Sequence, residues 1–64
     1  MKHTITKEQM VEYLKDAWVL MTGSSKEHKY LKANCFGTYQ VTESYRIKCE
    51  TTDLDEAILV YNEL

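Results

Sequence analysis

The chain has 64 residues, of which 44% are hydrophobic and 28% charged, and its formal net charge is −2. This composition is typical of a folded globular protein and excludes a disordered or proline-rich chain, since proline is absent. One small domain spanning residues 1–64 is expected. Its core leaves a thin stability margin, which domains of this size often widen with a disulfide, a metal or a partner chain.

The distribution of apolar residues argues against a membrane protein. No segment approaches the roughly 20 consecutive apolar residues of a membrane span, and MKHTITKEQM at the start lacks the apolar run of a signal peptide. We therefore expect a cytoplasmic protein without a membrane partner. Cys35 and Cys49 are then expected to be reduced thiols, because cytosolic disulfides are rare. A disulfide between them is the alternative, since small domains often need a cross-link.

A first helix is predicted to begin after Thr6. Thr6 has the side chain of a good N-cap, Gln9 three positions later completes a capping box, and Ile5 and Met10 form a hydrophobic staple around it. Gly23 is expected to end the helix as a left-handed C-terminal cap. The apolar stripe at helical spacing comprises Met10, Leu14, Ala17, Trp18 and Met21.

Three strands are predicted next, over residues 29–35, 38–41 and 45–50. A short helix over residues 25–34 is the alternative to the first of them. Asn34 and Gly37 fit the first and fourth positions of a type I turn, and a second turn is expected at residues 42–44.

Alternation along these strands predicts which side chains share a face of the sheet. The residues expected to face the helices are Leu31, Ala33, Cys35, Tyr39, Val41, Tyr45, Ile47 and Cys49. The residues expected to face water are Tyr30, Lys32, Thr38, Gln40, Arg46, Lys48 and Glu50.

A second helix is predicted after Asp53, which is a good N-cap and has Glu56 three positions later, as in a capping box. Its apolar stripe comprises Leu54, Ala57, Ile58 and Tyr61. The expected fold class is therefore α+β: a helix, a three-stranded antiparallel β-meander and a helix, with both helices on one face of the sheet.

The two predicted helices carry more apolar residues than packing against one sheet requires. Side-by-side packing of the helices is one explanation, and a protein interface is the other. We expect an interface with another protein, or with a second copy of the chain in a homodimer. The residues expected to form it are Val11, Tyr13, Leu20, Leu59 and Val60.

A nucleic-acid-binding ribbon is the alternative function. Tyr30, Lys32, Arg46 and Lys48 are expected on one sheet face, where an aromatic ring can stack on a base and cations can contact phosphate. Residues 24–50 hold five basic and three acidic side chains, which is a weak excess for phosphate binding. Lysine and arginine on an exposed strand also keep a sheet soluble.

No spacing typical of catalysis or metal binding is present. His3, His28, Cys35 and Cys49 are too far apart in the sequence for the paired ligands of a zinc site. Neither cysteine lies in a nucleophile motif with a recognisable base. We expect a protein that is not an enzyme and that uses no cofactor and no metal.

The second half of the chain, residues 37–64, resembles small proteins encoded by bacteriophages and prophages. The residues that carry the resemblance are Gly37, Tyr39, Val41, Thr52, Asp53, Leu54, Asp55, Glu56, Ala57, Ile58, Tyr61 and Asn62. The resemblance implies the cytoplasm of a bacterial host and a protein that binds and blocks or redirects another protein. It transfers no functional residue. The expected function is accordingly a small non-catalytic regulator or inhibitor.

Overall fold

The computed structural model describes residues 2–15 and 20–64. These residues form a four-stranded antiparallel meander, in the order β1-β2-β3-β4, and two helices, which confirms the α+β class. The elements are α1 (Lys7–Leu14), β1 (Leu20–Ser24), β2 (Lys29–Ala33), β3 (Tyr39–Glu43), β4 (Arg46–Thr51) and α2 (Leu54–Glu63). The expected number of three strands is wrong, because β1 replaces the end of the predicted first helix.

The first helix starts as expected and ends early. The Gln9 N–H donates to the Thr6 hydroxyl at 3.2 Å, and the Thr6 N–H donates to the Gln9 side chain at 3.0 Å, so the capping box is present. Helix α1 ends at Leu14, and Met21 lies in β1 with 62% of its surface exposed. The predicted stripe positions 17 and 18 lie outside the described residues. A run of adjacent apolar residues fits a strand as well as a helix, and pairing with β2 decides for the strand.

Gly23 lies within β1 and is not a helix cap. It pairs with Tyr30 and has a φ of 153°. A Cβ at this position would collide with the carbonyl oxygen of Lys29 and would lie 2.8 Å from the Cα of Tyr30. Glycine is therefore required because β1 and β2 approach each other closely here.

Both later hairpins depend on specific turn residues. The Asn34 side chain accepts hydrogen bonds from the N–H groups of Phe36 and Thr38, and Gly37 adopts a φ of 81°, so the turn at 34–37 is confirmed. The turn between β3 and β4 consists of Ser44 and Tyr45, with φ angles of 50° and 69°. Two residues at positive φ are typical of a tight type I′ hairpin, so the predicted turn at 42–44 is shifted.

A β-bulge in β4 changes the alternation of the sheet faces. Val41 pairs with Cys49, but Thr42 pairs with Ile47, which leaves Lys48 as an extra residue. Since cross-strand partners share a face, every β4 side chain before the bulge lies opposite to where simple alternation places it.

The bulge overturns two of the predicted orientations. Ile47 and Tyr45 were expected to face the helices, yet Ile47 is 61% exposed and Tyr45 is fully exposed. Arg46 is exposed to water, as expected. It pairs with Glu43, which pairs with the buried Lys29, so it lies on the helix side of the sheet and not on the face of Tyr30 and Lys32. The predicted inward position of Cys35 is also wrong, because Cys35 lies exposed in the turn after β2.

The core lies between the sheet and α2, which crosses β2, β3 and β4 and also contacts α1. Three positions expected to face inward, Leu31, Ala33 and Val41, are buried, and Tyr39 and Cys49 are half-buried. The main buried cluster consists of Ile5, Met10, Leu31, Val41, Ala57, Ile58 and Tyr61.

Helix α2 is capped at its start and tied to the N-terminal segment near its end. The Asp53 carboxylate accepts from the N–H groups of Asp55 and Glu56, as predicted. The Glu56 side chain accepts from the hydroxyl of Thr51 and not from the Asp53 N–H, so the reciprocal half of the predicted capping box is not formed. Near the end of α2, Asn62 exchanges two hydrogen bonds with the backbone of Ile5, at 2.8 and 2.9 Å.

The two glycines should differ in their tolerance of alanine. We expect Gly23→Ala to lower the free energy of unfolding by more than about 2 kcal/mol, since positive φ adds to a backbone collision. Gly37→Ala should cost about 1 kcal/mol, because its Cβ would meet nothing within 4 Å and only the conformation is strained. Urea unfolding followed by circular dichroism measures both. Equal losses would contradict the close approach of β1 and β2.

Candidate functional site

A buried lysine anchors a polar cluster on the helix side of the sheet. Lys29 is 1% exposed, and its Nζ donates to the carbonyl oxygen of His3 at 2.7 Å and to that of Tyr61 at 3.4 Å. The Nζ also lies 3.7 Å from a Glu27 carboxylate oxygen and 4.5 Å from the centroid of the Tyr61 ring. The chain itself therefore surrounds this cation with partners, as a buried charge requires.

The remaining bonds of the cluster join His3 to both Glu27 and Tyr61. The His3 N–H donates to the Glu27 carboxylate at 2.8 Å, and the His3 Nδ1 lies 2.7 Å from the Tyr61 hydroxyl. Burial, together with the negative charge of Glu27, raises the pKa of Tyr61 to about 12. Desolvation acts to raise the pKa of Glu27, but the His3 hydrogen bond and the Lys29 charge outweigh it and lower that pKa.

This cluster contains the residue types of catalytic sites, but its polar atoms bond to one another. Among the described residues, every buried side-chain nitrogen and oxygen has a hydrogen-bond partner. No buried polar atom of the cluster is therefore left unpaired for a substrate to bind. The described part of the chain also has no group of three or more histidine, cysteine or acidic residues placed to hold a metal. We assign the cluster a structural role, which is to tie the N-terminal segment, β2 and α2 together.

The two cysteines are free thiols in different parts of the fold. Cys35 is exposed in a turn, and Cys49 is half-buried in β4 without a disulfide between them. Burial and the nearby charge of Glu56 raise the pKa of Cys49, which lowers its thiolate fraction at neutral pH.

The opposite side of the sheet, here called the open face, has a regular arrangement of side chains. Pairing between strands defines two rows that cross it from β1 to β4. The first row is Met21, Lys32, Gln40 and Glu50, and the second is Gly23, Tyr30, Thr42 and Ile47. His28 and Tyr45, from the two turns, extend the face at one end, and a shallow depression of about 530 Å³ lies over it.

The open face exposes large apolar side chains. Met21, Ile47 and Tyr45 are all exposed, and Tyr30 beside them is half-buried. A sheet face that only contacts water is ordinarily polar, so a group of exposed apolar side chains on it indicates a binding surface. Sequence reasoning missed this surface, because it depends on the extra strand β1 and on the bulge in β4.

Charge on the open face is sparse and balanced. Lys32 is exposed in β2, and Glu50 is exposed two strands away in β4. Between them, the Gln40 side chain donates to the Glu50 carboxylate at 3.0 Å. The paired positions of the first row therefore carry one cation and one anion.

The predicted nucleic-acid ribbon is not assembled on one face. Tyr30 and Lys32 share the open face, whereas Arg46 belongs to the helix side and Lys48 is the bulge residue. One lysine beside a glutamate gives little attraction for phosphate.

The predicted helix interface is also divided. Val11 and Tyr13 are exposed on α1, but two positions along a helix differ by about 200° in direction. Leu59 is exposed on α2, while Leu20 lies in β1 and Val60 in α2, both partly buried against the core. Leu20 therefore does not belong to the first helix, and these five residues do not form a single flat surface.

No protein-family model, curated protein or solved structure matches the chain. Within the described residues, no helix is both long enough and apolar enough to cross a membrane.

The buried Tyr61 hydroxyl predicts a stability change at high pH. The pKa of Tyr61 in the folded protein is about 12, above the ordinary value of 10. The contribution of the neutral Tyr61 hydroxyl to the free energy of unfolding is therefore complete below pH 10 and is lost as the pH rises toward 12. The free energy of unfolding of the parent should therefore fall more steeply between pH 10 and 12 than that of Tyr61→Phe. Urea titrations at several pH values measure this, with Tyr13→Phe as the exposed control. Equal slopes for the parent and Tyr61→Phe would contradict the assignment.

Proposed function

We propose that this chain is a non-catalytic binding protein that regulates or inhibits another protein by docking it on the open face of the sheet. The observation that carries the proposal is the exposure of Met21, Tyr45 and Ile47 on the side of the sheet away from α2. Burying such side chains stabilises a complex by about 25 cal/mol for each Å² of apolar surface removed from water.

The composition of the open face supports a protein as the partner, because tyrosine and methionine are enriched at protein interfaces. Tyr30, Gln40 and Thr42 add polar groups between the apolar side chains, which can fix the orientation of a partner.

Regulation by this surface would work through occlusion. A four-stranded sheet packed against α2 presents an extended surface. Such a surface can block a site on a target by binding over it, and no catalytic step is needed. The resemblance of residues 37–64 to small phage-encoded proteins supports this proposal, and we propose the cytoplasm of a bacterial host as its location. Nucleic-acid binding is not proposed, because Arg46 and Lys48 do not extend the row that contains Lys32.

Two isomeric side chains of nearly equal exposure provide a matched test. Ile47 on the open face is 61% exposed, and Leu59 on α2 is 59% exposed. We expect Ile47→Asp to abolish capture of a protein partner from nuclease-treated bacterial extract, because a charge would be buried in the interface. Leu59→Asp should leave that capture unchanged. Both residues are exposed in the parent, so each substitution should leave the fold intact. Urea unfolding of each variant checks this.

The opposite result would assign the interface to the helices. If Leu59→Asp abolished capture and Ile47→Asp did not, the partner would bind the side of the molecule that carries Leu59. Capture that disappeared from the parent on nuclease treatment would instead indicate binding through nucleic acid.

A further inference from the structure

We propose that a second copy of this chain also docks on the open face, packed sheet on sheet about a two-fold axis that runs along β3. This inference goes beyond the proposed function, because the second copy and the target protein would compete for the same surface. Aligned sheets of two chains pack about 10 Å apart, with their side chains interdigitated.

The charges on the open face are complementary to themselves about this axis. Strands β2 and β4 flank β3 on either side, each about 4.8 Å away. A two-fold axis along β3 places β2 of one copy over β4 of the other and keeps the rows at the same height. Lys32 then faces Glu50 of the second copy, and Glu50 faces Lys32 of the second copy. One axis therefore forms two ion pairs, with Glu50 already oriented by its hydrogen bond to Gln40.

The same axis also matches the apolar row. Tyr30 lies in β2 and Ile47 lies in β4, both paired with Thr42 of β3. Rotation about β3 therefore packs the ring of Tyr30 against Ile47 of the second copy, and the reverse. At the end of the face, Tyr45 projects from the β3–β4 turn toward the position of His28 in the second copy.

Axes along the two neighbouring strands lack this match. An axis along β2 would place Lys32 over Lys32 of the second copy, and an axis along β4 would place Glu50 over Glu50. Like charges in contact oppose association. Among the axes along β2, β3 and β4, the one along β3 satisfies the charged and apolar rows together, which is how an isologous interface is specified.

The size of the face sets the strength of the pairing. An axis along β3 superposes β2, β3 and β4 and leaves β1 without a facing strand. Three strands about 4.8 Å apart, each about five residues long at 3.4 Å per residue, give an overlap of roughly 14 by 17 Å. This overlap is smaller than a standard protein interface, which buries about 800 Å² on each partner. We therefore expect a weak, reversible dimer that forms at high protein concentration.

Charge exchange tests the axis directly. Sedimentation equilibrium of the purified full chain, from about 1 μM to 1 mM, should show a monomer–dimer equilibrium. Lys32→Glu and Glu50→Lys should each weaken dimerisation about 10-fold, because each creates two like-charge contacts. The double variant Lys32→Glu/Glu50→Lys should return to within about 3-fold of the parent, since both ion pairs are restored with reversed sign. Lys2→Glu, on the N-terminal segment, changes the net charge by the same amount as Lys32→Glu and should have no effect.

The possible outcomes separate this inference from the proposed function. A chain that stays monomeric at 1 mM, or a double variant no better than the single ones, would overturn the pairing about β3. If the chain is monomeric and Ile47→Asp still abolishes capture from extract, the open face binds a different protein and the proposed function stands. If the chain is monomeric and Ile47→Asp has no effect on capture, both are wrong. Circular dichroism of each variant confirms that the fold is retained.

Discussion

The structure depends on the burial of one charge, the ammonium group of Lys29. An unpaired buried cation costs several kcal/mol, so the fold must bring partners to it. The partners come from three parts of the chain: the His3 carbonyl, the Glu27 carboxylate, and the carbonyl and ring of Tyr61. Meeting this requirement fixes the N-terminal segment and the end of α2 against β2. The N-terminal segment and α2 therefore cover the same side of the sheet.

The open face follows from this one-sided arrangement. Helix α2 has ten residues and α1 has eight, and the contacts of α2 all lie on the side of Lys29. The other side keeps Met21, Tyr45 and Ile47 in contact with water. A domain of 64 residues can bury only a limited apolar surface, so leaving these side chains in water forgoes stabilisation that their burial would give. Docking on the open face therefore both carries out the proposed function and removes this surface from water.

The sequence predicts what short-range chemistry determines. The caps at Thr6 and Asp53 and the turn at Asn34 each require only a few neighbouring residues, and all are present. The predictions failed where long-range pairing decides: β1 forms because residues 20–24 pair with β2, and a bulge at Lys48 reverses the orientation of Ile47. Both errors concern the open face, so the candidate site could not be assembled from the sequence. From the sequence alone, a charged residue such as Lys29 is expected to be exposed, because the residues that pair with it lie far away along the chain.

The most direct test of this account is the solvent exposure of individual methyl groups as the protein concentration rises. A soluble paramagnetic reagent broadens the methyl signals of exposed side chains in NMR spectra. Met21, Ile47 and Leu59 are exposed to similar extents in the single chain, between 59% and 62%. The account predicts that Ile47 becomes protected at high concentration while Leu59 does not. Protection of Leu59, with Ile47 still accessible, would contradict it.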